Sequence, residues 1–463
     1  MKYTYIIFSL CIISLLYIFA ISNTGCAQIA MPTGGPRDSI APKLISASPK
    51  LNSTNVTPNK IILTFNEYVD LKEAQTNLLI SPFSKKSPAV DFKLKTITVT
   101  LIDSLLPNTT YSINFGNTIV DNNEGNPLKD FTYIFSTGNK IDSLTLFGKV
   151  IIAETGKADS TLIAMLYHIT DDSAVQKYKP DYIAKLHGDG SFSFVNLPMG
   201  KFKLYALKDN DGGKTYNSKK ELFAFADSVI MISEKTESLV LYASATEKEK
   251  GITPVVKSII KPKKLIYTLP AGLQKHDLLS PFELHFNNAL KIFDSDKLIL
   301  RDTNYKQISS TVWTIDSSRT KIKLTTKWQE ATNYQLIIDN TALLDSADNK
   351  LAKLDTIRFA TKQQSDYGNV VLRFSNIDLT KHPILQLVQS EEVKKAYPLT
   401  AMDWSNKFIN PGEYDIRILF DINNNRVWDQ GDYSKKLQPE KVIPISKKLS
   451  VRADWDNELD IKL

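Results

Sequence analysis

Apolar and polar residues alternate along most of this chain in short runs, and turn-forming residues separate the runs. Residues 97–101 (Ile-Thr-Val-Thr-Leu) and 92–95 (Phe-Lys-Leu-Lys) alternate strictly, which predicts strands with one buried face. Pro107-Asn108 and residues 121–127 are turn sequences between such runs. Strands at this spacing within about 100 residues predict a β-sandwich. The whole chain after its N-terminal segment is therefore predicted to be all-β, a tandem series of β-sandwiches.

The pattern of the first half of the chain returns in the second half. Three pairs of segments correspond at offsets of 221, 224 and 212 residues. The pairs are residues 61–65 and 282–286, 132–137 and 356–361, and 200–207 and 412–419. Because the offsets agree to within small insertions, they predict one two-module unit used twice, in an A-B-A-B order.

The N-terminal segment has a different pattern. One basic residue, Lys2, precedes an apolar run over 5–21, and small polar residues follow it up to Cys26. This order predicts a secretory signal peptide over residues 1–25. A retained membrane helix is the alternative, since about 17 apolar residues reach the lower limit for a membrane span.

Cys26 follows the segment Asn23-Thr24-Gly25 and resembles the lipobox cysteine of bacterial lipoproteins, although Asn23 stands where leucine is usual. The resemblance implies cleavage between Gly25 and Cys26, acyl chains on Cys26, and attachment to a membrane through this lipid. Removal of the leader would also remove Cys11, the only cysteine in the sequence besides Cys26. The mature chain would then hold a single thiol, which fits a lipid attachment site better than a disulfide.

Several motifs resemble known surface modules. Residues 48–67, 106–111 and 120–138 resemble the bacterial Ig-like domain of S-layer proteins, and residues 32–38 (PTGGPRD) resemble the opening of a Bacteroidetes lipoprotein family built on that domain. The strands G-x-F-x-F and G-x-F-x-L-Y within 190–205 resemble prealbumin-like or collagen-adhesin B-type sandwiches. The resemblance implies a lipid-anchored outer-membrane protein and supplies an architecture, without a catalytic mechanism.

The repeat and the turns predict the domain boundaries. They are a signal peptide (1–25), a tether (26–40), an Ig-like domain (41–140), a prealbumin-like sandwich (141–245), a linker (246–262), a second Ig-like domain (263–362) and a second prealbumin-like sandwich (363–463). The linker is charged and then punctuated by proline. We therefore expect weak contact across it, and we expect the halves 26–245 and 263–463 to fold separately.

Composition narrows the function. Hydrophobic residues make up 42% and charged residues 23% of the chain, as in ordinary globular domains. The net charge of +7 is scattered and contains no block of five or six like charges, which argues against nucleic-acid binding. The five histidines lack the spacing of zinc ligands, and nucleophile-elbow and phosphate-loop motifs are absent from the sequence. We predict that the protein is not an enzyme; a carboxylate pair assembled by the fold is the remaining catalytic alternative.

The predicted role is therefore binding or spacing at the cell surface, with an unknown protein or glycan partner. The alternative is an accessory glycan-binding protein of an uptake or secretion system. That alternative depends on the tryptophans, all of which follow residue 300; exposed aromatic side chains serve recognition, whereas buried ones fill cores. The five are Trp313, Trp328, Trp404, Trp428 and Trp455.

One polar stretch has the order of an EF-hand-type calcium loop, with oxygen groups at positions one, three, five, seven, nine and twelve. These are Asp421, Asn423, Asn425, the Val427 carbonyl, Asp429 and Asp432. Arg426 replaces the usual glycine, and Asp432 is shorter than the usual glutamate. The prediction is a structural Ca²⁺, and an Asx-rich turn is an equally open alternative. A weaker candidate, for which the turn is favoured, consists of Asp209, Asp211, Asn217 and Glu221.

Overall fold

The computed structural model describes residues 9–10, 12–15, 37–247, 264–269 and 273–463. The chain divides into two compact units, Met1–Asp142 and Ser143–Leu463. We name the described β-rich regions module 1 (37–142), module 2 (143–247), module 3 (264–362) and module 4 (363–463). Most of the predicted leader, Cys26 and most of the linker lie outside the described residues. Within the described part of the chain, every helix is too short or too polar to traverse a membrane.

Module 1 is formed by nine strands and one short helix. They are β1 (Leu44–Ser48), β2 (Lys60–Phe65), β3 (Val69–Leu71), α1 (Ala74–Asn77), β4 (Leu79–Ser81), β5 (Ala89–Lys93), β6 (Thr96–Thr100), β7 (Thr110–Gly116), β8 (Ile119–Asp121) and β9 (Phe131–Ser136). The strand orders are β1-β2-β6-β5, β4-β7-β9 and β3-β8. Ile97 and Val99 of β6 are fully buried while Thr100 is exposed, so the predicted alternation is confirmed there.

The other predicted alternation, over 92–95, is wrong. Strand β5 ends at Lys93, and Leu94 adopts a left-handed φ of 55° in the turn to β6. Phe92 and Leu94 are 43% and 64% exposed. Strand β5 lies at the edge of its sheet, where it has one neighbour, so its side chains are covered less than those of β6.

Module 2 consists of β10 to β17 and a second short helix. The bounds are β10 (Leu144–Ile152), β11 (Ile163–Tyr167), α2 (Ala174–Lys177), β12 (Tyr182–Lys185), β13 (Ser191–Leu197), β14 (Gly200–Leu207), β15 (Phe223–Phe225), β16 (Ile230–Ile232) and β17 (Leu239–Ala243). One sheet has the order β13-β10-β17, and the other has the order β12-β11-β14-β15, with β16 also paired to β14. Strands β10 and β17 are parallel.

Module 3 repeats the strand order of module 1. Its strands are β18 (Tyr267–Thr268), β19 (Phe282–Phe286), β20 (Leu290–Phe293), β21 (Leu298–Asp302), β22 (Val312–Ile315), β23 (Lys321–Thr325), β24 (Asn333–Ile338), β25 (Leu343–Asp345) and β26 (Asp355–Ala360), with 3₁₀ turns at Leu273–Lys275 and Ser295–Lys297. The orders β18-β19-β23-β22, β21-β24-β26 and β20-β25 match the three sheets of module 1 one for one.

Module 4 repeats module 2. Its strands are β27 (Gly368–Ser375), β28 (Pro383–Gln389), β29 (Glu392–Pro398), β30 (Asp403–Ile409), β31 (Gly412–Phe420), β32 (Val442–Val451) and β33 (Asp456–Lys462), with 3₁₀ turns at Gln364–Asp366, Leu379–Lys381 and Tyr433–Lys435. The sheets are β30-β27-β33 and β29-β28-β31-β32, and β27 pairs with β33 in parallel. The all-β fold is thus a two-module unit used twice.

The expectation of weak contact across the linker is wrong. Tyr433 of module 4 is buried in a cluster whose other members come from module 2, among them Tyr205 and Phe223. The main-chain N–H of Val442 donates to the carbonyl of Ala153 at 3.1 Å. The composition of the linker indicates only how little apolar surface the linker itself can bury. The contacts between modules 2 and 4 are made by other residues, such as Tyr433 and Val442.

Candidate calcium loops

The first candidate loop, residues 421–429 ("the 421 loop"), begins where β31 ends. The carboxylate of Asp421, which is fully buried, accepts the main-chain N–H groups of Asn425 at 3.0 Å and Arg426 at 2.7 Å. Arg426 has a left-handed φ of 67°, the conformation that glycine adopts most readily. The arginine therefore occupies the backbone conformation expected of the loop glycine and leaves the path of the loop intact.

Asp429 closes the other end of the 421 loop. Its Oδ2 accepts the side-chain amide N–H groups of Asn423 at 2.6 Å and Asn425 at 2.7 Å. The amide oxygens of the two asparagines accept main-chain N–H groups of the loop, from Asn425 and Val427 respectively. The structure thus brings Asp421, Asn423, Asn425 and Asp429 together as hydrogen-bonded Asx turns.

The structure does not bring Asp432 into this group. Its carboxylate caps the 3₁₀ turn Tyr433–Lys435 by accepting the main-chain N–H of Ser434 at 3.0 Å and its hydroxyl at 2.6 Å. The hydrogen bond from the Ser434 hydroxyl holds the pKa of Asp432 below its ordinary value. Asp432 serves local turn geometry, as Asp commonly does at such positions.

Glu440 is a candidate ligand that the sequence pattern missed. Its two carboxylate oxygens accept the main-chain N–H groups of Ile422 at 2.8 Å and Asp429 at 3.0 Å. Its side chain is 5% exposed, and burial raises its pKa, with the nearby carboxylates of Asp421 and Asp429 acting in the same direction. A nearby cation would favour the ionised form of such a buried carboxylate.

The second candidate loop contains the same element. Glu221 is 5% exposed and accepts the main-chain N–H groups of Ser218 and Asn217, and burial raises its pKa with help from Asp211 and Asp209. Asn217 and Asp429 are both the ninth residue of their loops. In both modules, then, a buried glutamate holds the N–H of the ninth position, and this parallel was the signal that could have identified Glu440.

The 209–221 loop contains a lysine that forms an ion pair with its first carboxylate. The ammonium group of Lys214 lies 3.3 Å from a carboxylate oxygen of Asp209, and the Lys214 main-chain N–H donates to the other oxygen at 3.0 Å. The Asp211 carboxylate accepts the Asn217 amide at 2.6 Å. Because a lysine already supplies positive charge there, this loop fits a metal ion less well than the 421 loop does.

In the described ranges, no three Asp, Glu, His or Cys side chains come close enough together to hold a metal ion. The donor set of the 421 loop nonetheless matches calcium chemistry, since carboxylate, amide and main-chain oxygens are its preferred ligands. Asp421, Asp429 and Glu440 would provide the charge, and Asn423, Asn425 and the Val427 carbonyl would complete the set.

The tryptophans do not form one exposed cluster. Trp328 is buried and packs against Tyr334, Phe359 and His276 at centroid distances of 5.0–5.6 Å. Trp455 is 59% exposed, with the guanidinium of Arg452 5.3 Å from its ring centroid. The other three are partly buried.

Two of the four modules are similar to a known domain family. Residues 38–137 and 260–361 each match the bacterial Ig-like domain family. Two segments of this chain are thus similar to bacterial Ig-like domains. They coincide with modules 1 and 3, whose sheets have the same order, and so the resemblance drawn from residues 48–138 is confirmed at the level of the domain.

Solved structures with detectable similarity include proteins of bacterial surfaces. The major pilin subunit BcpA of Bacillus cereus is 9% identical over 69% of this chain and 99% of its own, with a TM-score of 0.17. The N-terminal part of the S-layer protein SbsC is 17% identical over 36% and 40%, with a TM-score of 0.16. The Bacillus anthracis TIE protein is 11% identical over 93% and 76%, with a TM-score of 0.16. These scores are too low to carry an argument. No curated protein matches the chain.

Proposed function

We propose that this protein is a lipid-anchored cell-envelope protein that acts as a non-catalytic binding or spacer module at the surface. The observation that carries the proposal is the duplicated pair of sandwiches, in which both Ig-like domains have one strand order and both partner modules have another. Repeats of small sandwiches add length and surface. Each encloses a core filled by its own apolar side chains.

The anchor is tested at Cys26. The Cys26→Ser protein is expected to leave the membrane fraction, because serine has no thiol to form the thioether bond to the lipid. Without that lipid the protein lacks the several acyl chains that give stable attachment to a membrane. Fractionation of cells and mass spectrometry of the native N-terminus provide the measurement. Cys11→Ser serves as the control and is expected to remain anchored. Retention of residues 1–25 in the mature protein would contradict the lipid anchor and favour a membrane helix.

Glycan binding is the second candidate, and Trp455 favours it. A shallow groove of about 320 Å³ is lined by this exposed ring together with polar side chains, among them Lys448, Asn457 and Glu458. An exposed indole beside hydrogen-bonding groups suits the apolar face and the hydroxyls of a sugar ring.

An array of glycans and matrix proteins, probed with the purified protein, separates the two candidates. Glycan binding is expected to fall at least tenfold in Trp455→Ala and to be unchanged in Tyr305→Ala, which removes another exposed ring, 69% accessible, from module 3. Binding to matrix proteins alone, unaffected by Trp455→Ala, would leave the surface-adhesion role and eliminate the glycan role.

We also propose that the 421 loop holds a structural calcium ion, with Glu440 rather than Asp432 completing the carboxylate set. What supports this proposal is the loop's supply of carboxylate and amide oxygens, together with the negative charges of Asp421 and Asp429, which act with burial to raise the pKa of Glu440. The ion would neutralise charge at this end of module 4. For the 209–221 loop we propose the turn alone, since Lys214 supplies the positive charge.

A further inference from the structure

A ten-residue segment of module 4, residues 430–439 ("the tongue"), protrudes between the end of the 421 loop and Glu440. Its base is closed by the N–H of Glu440, which donates to the carbonyl of Asp429 at 3.0 Å. Within the tongue, Asp432 and Leu437 exchange both main-chain hydrogen bonds, at 2.8 and 3.0 Å. The tongue is thus fixed by its own backbone before any contact with module 2 is counted.

Tyr433 is the anchor of the tongue. Its ring is 7% exposed and meets Phe225, Phe223 and Tyr205 of module 2 at centroid distances of 5.1, 5.2 and 5.8 Å, with interplanar angles of 62–90°. Edge-to-face pairs of this kind are favourable arrangements of aromatic rings. Module 2 therefore forms an aromatic pocket into which one side chain of module 4 fits.

The hydroxyl of Tyr433 is satisfied at the bottom of the pocket. It lies 2.9 Å from the Tyr205 hydroxyl and donates to the main-chain carbonyl of Asp172 at 2.8 Å. Burial raises the pKa of Tyr433, so the hydroxyl stays protonated as a donor. Because a buried hydroxyl without a partner is costly, this pair of contacts makes the pocket selective for tyrosine over other apolar anchors.

Polar contacts surround the aromatic centre. Gln438 donates to the carbonyl of Phe225 at 3.0 Å and to the carboxylate of Asp227 at 2.6 Å. Gln430 donates to the carbonyl of Thr246 at 2.6 Å. Gln438 and Gln430 thus form hydrogen bonds with acceptor groups of module 2 on two sides of the pocket, and these bonds fix the orientation of the tongue.

Charged groups complete the rim. The ammonium of Lys436 lies 3.8 Å above the Tyr433 ring and 3.0 Å from the Asp172 carboxylate. Gly431 donates its N–H to the Ser244 hydroxyl at 3.0 Å. An aromatic anchor surrounded by a polar rim is the organisation of a protein–protein interface with one dominant residue.

We propose that module 2 carries a recognition pocket for a tyrosine-bearing loop, and that its ligand is the tongue of module 4 in the same chain. The pocket then holds modules 2 and 4 together by non-covalent contacts, whatever the covalent connection through residues 248–263 contributes. Covalent connection raises the effective concentration of the two surfaces to about the millimolar range. Association that persists after the connection is cut measures the non-covalent contacts between modules 2 and 4, and the loss caused by substituting Tyr433 measures the contribution of the pocket.

The test is to cut the purified full-length protein at a protease site introduced within residues 248–263 and to follow the two fragments by size-exclusion chromatography at micromolar concentration. The fragments of the otherwise unchanged protein are expected to elute together. In Tyr433→Ala they are expected to separate, because loss of a dominant interface residue weakens association by about 30-fold or more. Separation of the unchanged fragments at this concentration would overturn the proposal.

Two further variants distinguish recognition from general damage. Tyr433→Phe keeps the ring and loses the hydroxyl contacts, and it is expected to associate with intermediate strength. Tyr305→Ala removes an exposed ring from module 3 and is expected to behave like the unchanged protein. If circular dichroism shows that Tyr433→Ala is misfolded, Gln438→Ala on the rim replaces it, with weakened association expected. Full association of both folded variants would contradict the pocket.

Discussion

Replacement of Phe135 by alanine is expected to lower the free energy of unfolding of module 1 by about 3–5 kcal/mol, since a fully buried aromatic side chain is lost and a cavity remains. Phe135 is fully buried and stacks on Tyr111 at a centroid distance of 5.3 Å. It also contacts Tyr133, another fully buried ring, at 6.1 Å. The cavity would lie at the centre of an aromatic cluster. Because β7 and β9 hold the surrounding rings in place, these rings can fill the cavity only in part.

Phe92→Ala provides the matched control. Phe92 belongs to the same module but is 43% exposed at a sheet edge, and its removal is expected to cost about 1 kcal/mol or less. Urea unfolding followed by far-UV circular dichroism gives the measurement. All five tryptophans lie after residue 300, so their fluorescence shows separately whether Ser143–Leu463 has stayed folded. Equal effects of the two substitutions would contradict the assigned core.

Calcium at 100 times its dissociation constant is expected to raise the free energy of unfolding of module 4 by about 2.7 kcal/mol. Because module 4 packs against module 2 within the unit Ser143–Leu463, this corresponds to a rise of about five degrees in the unfolding midpoint. The shift should vanish in Asp421→Ala and Glu440→Gln, because both remove a buried carboxylate of the proposed set. Calorimetry of the purified protein in calcium and in chelator provides the measurement.

Asp432→Ala decides between the two possible ligand sets. Because Asp432 caps the turn Tyr433–Lys435, its loss is expected to lower the free energy of unfolding in both buffers by about 1 kcal/mol. The increase produced by calcium should remain. Loss of that increase in Asp432→Ala, with retention in Glu440→Gln, would instead support the ligand order predicted from the sequence. An unmoved midpoint at millimolar calcium in the unaltered protein would leave only the Asx turn.

The pH dependence has a definite sign. The pKa of Glu440 is raised in the folded protein, so its contribution to stability is present below the unfolded-state pKa, about 4.3. That contribution is lost as pH rises through the folded pKa. Calcium binds the ionised form and is expected to oppose this loss. Glu440→Gln should remove both the loss and the response to calcium.

Local pattern determined much of this protein. Period-two alternation at Ile97 and Val99 identified a strand and its buried face because successive side chains of a strand point to opposite sides. The offsets between the halves identified the repeat, and the structure repeats the strand order, including the parallel pairs β10–β17 and β27–β33. The residues that pair within each sandwich recur at corresponding positions, so similarity of sequence carried the topology with it.

The local pattern did not correctly predict the exposure of edge strands or the full set of residues in the loops. The sequence alternates at Phe92 and Leu94, yet both side chains are exposed. Leu94 lies in the turn after β5, and Phe92 lies on an edge strand whose side chains are covered from one side only. In the 421 loop, the spacing identified Asp421, Asn423, Asn425 and Asp429 as one group. It placed Asp432 there as well because a fixed-length motif cannot anticipate an inserted tongue.

The tertiary structure alone decided the positions of Glu440 and Tyr433. Glu440 returns to Asp429 after the ten tongue residues: its N–H donates to the Asp429 carbonyl and its carboxylate accepts the Asp429 N–H, and both contacts depend on how the loop closes. Tyr433 meets Tyr205, 228 residues earlier in the chain, and no local propensity of either segment encodes that pairing. Secondary structure follows from neighbouring residues, whereas a pocket and its occupant are specified by the complementarity of surfaces that exist only after both modules have folded.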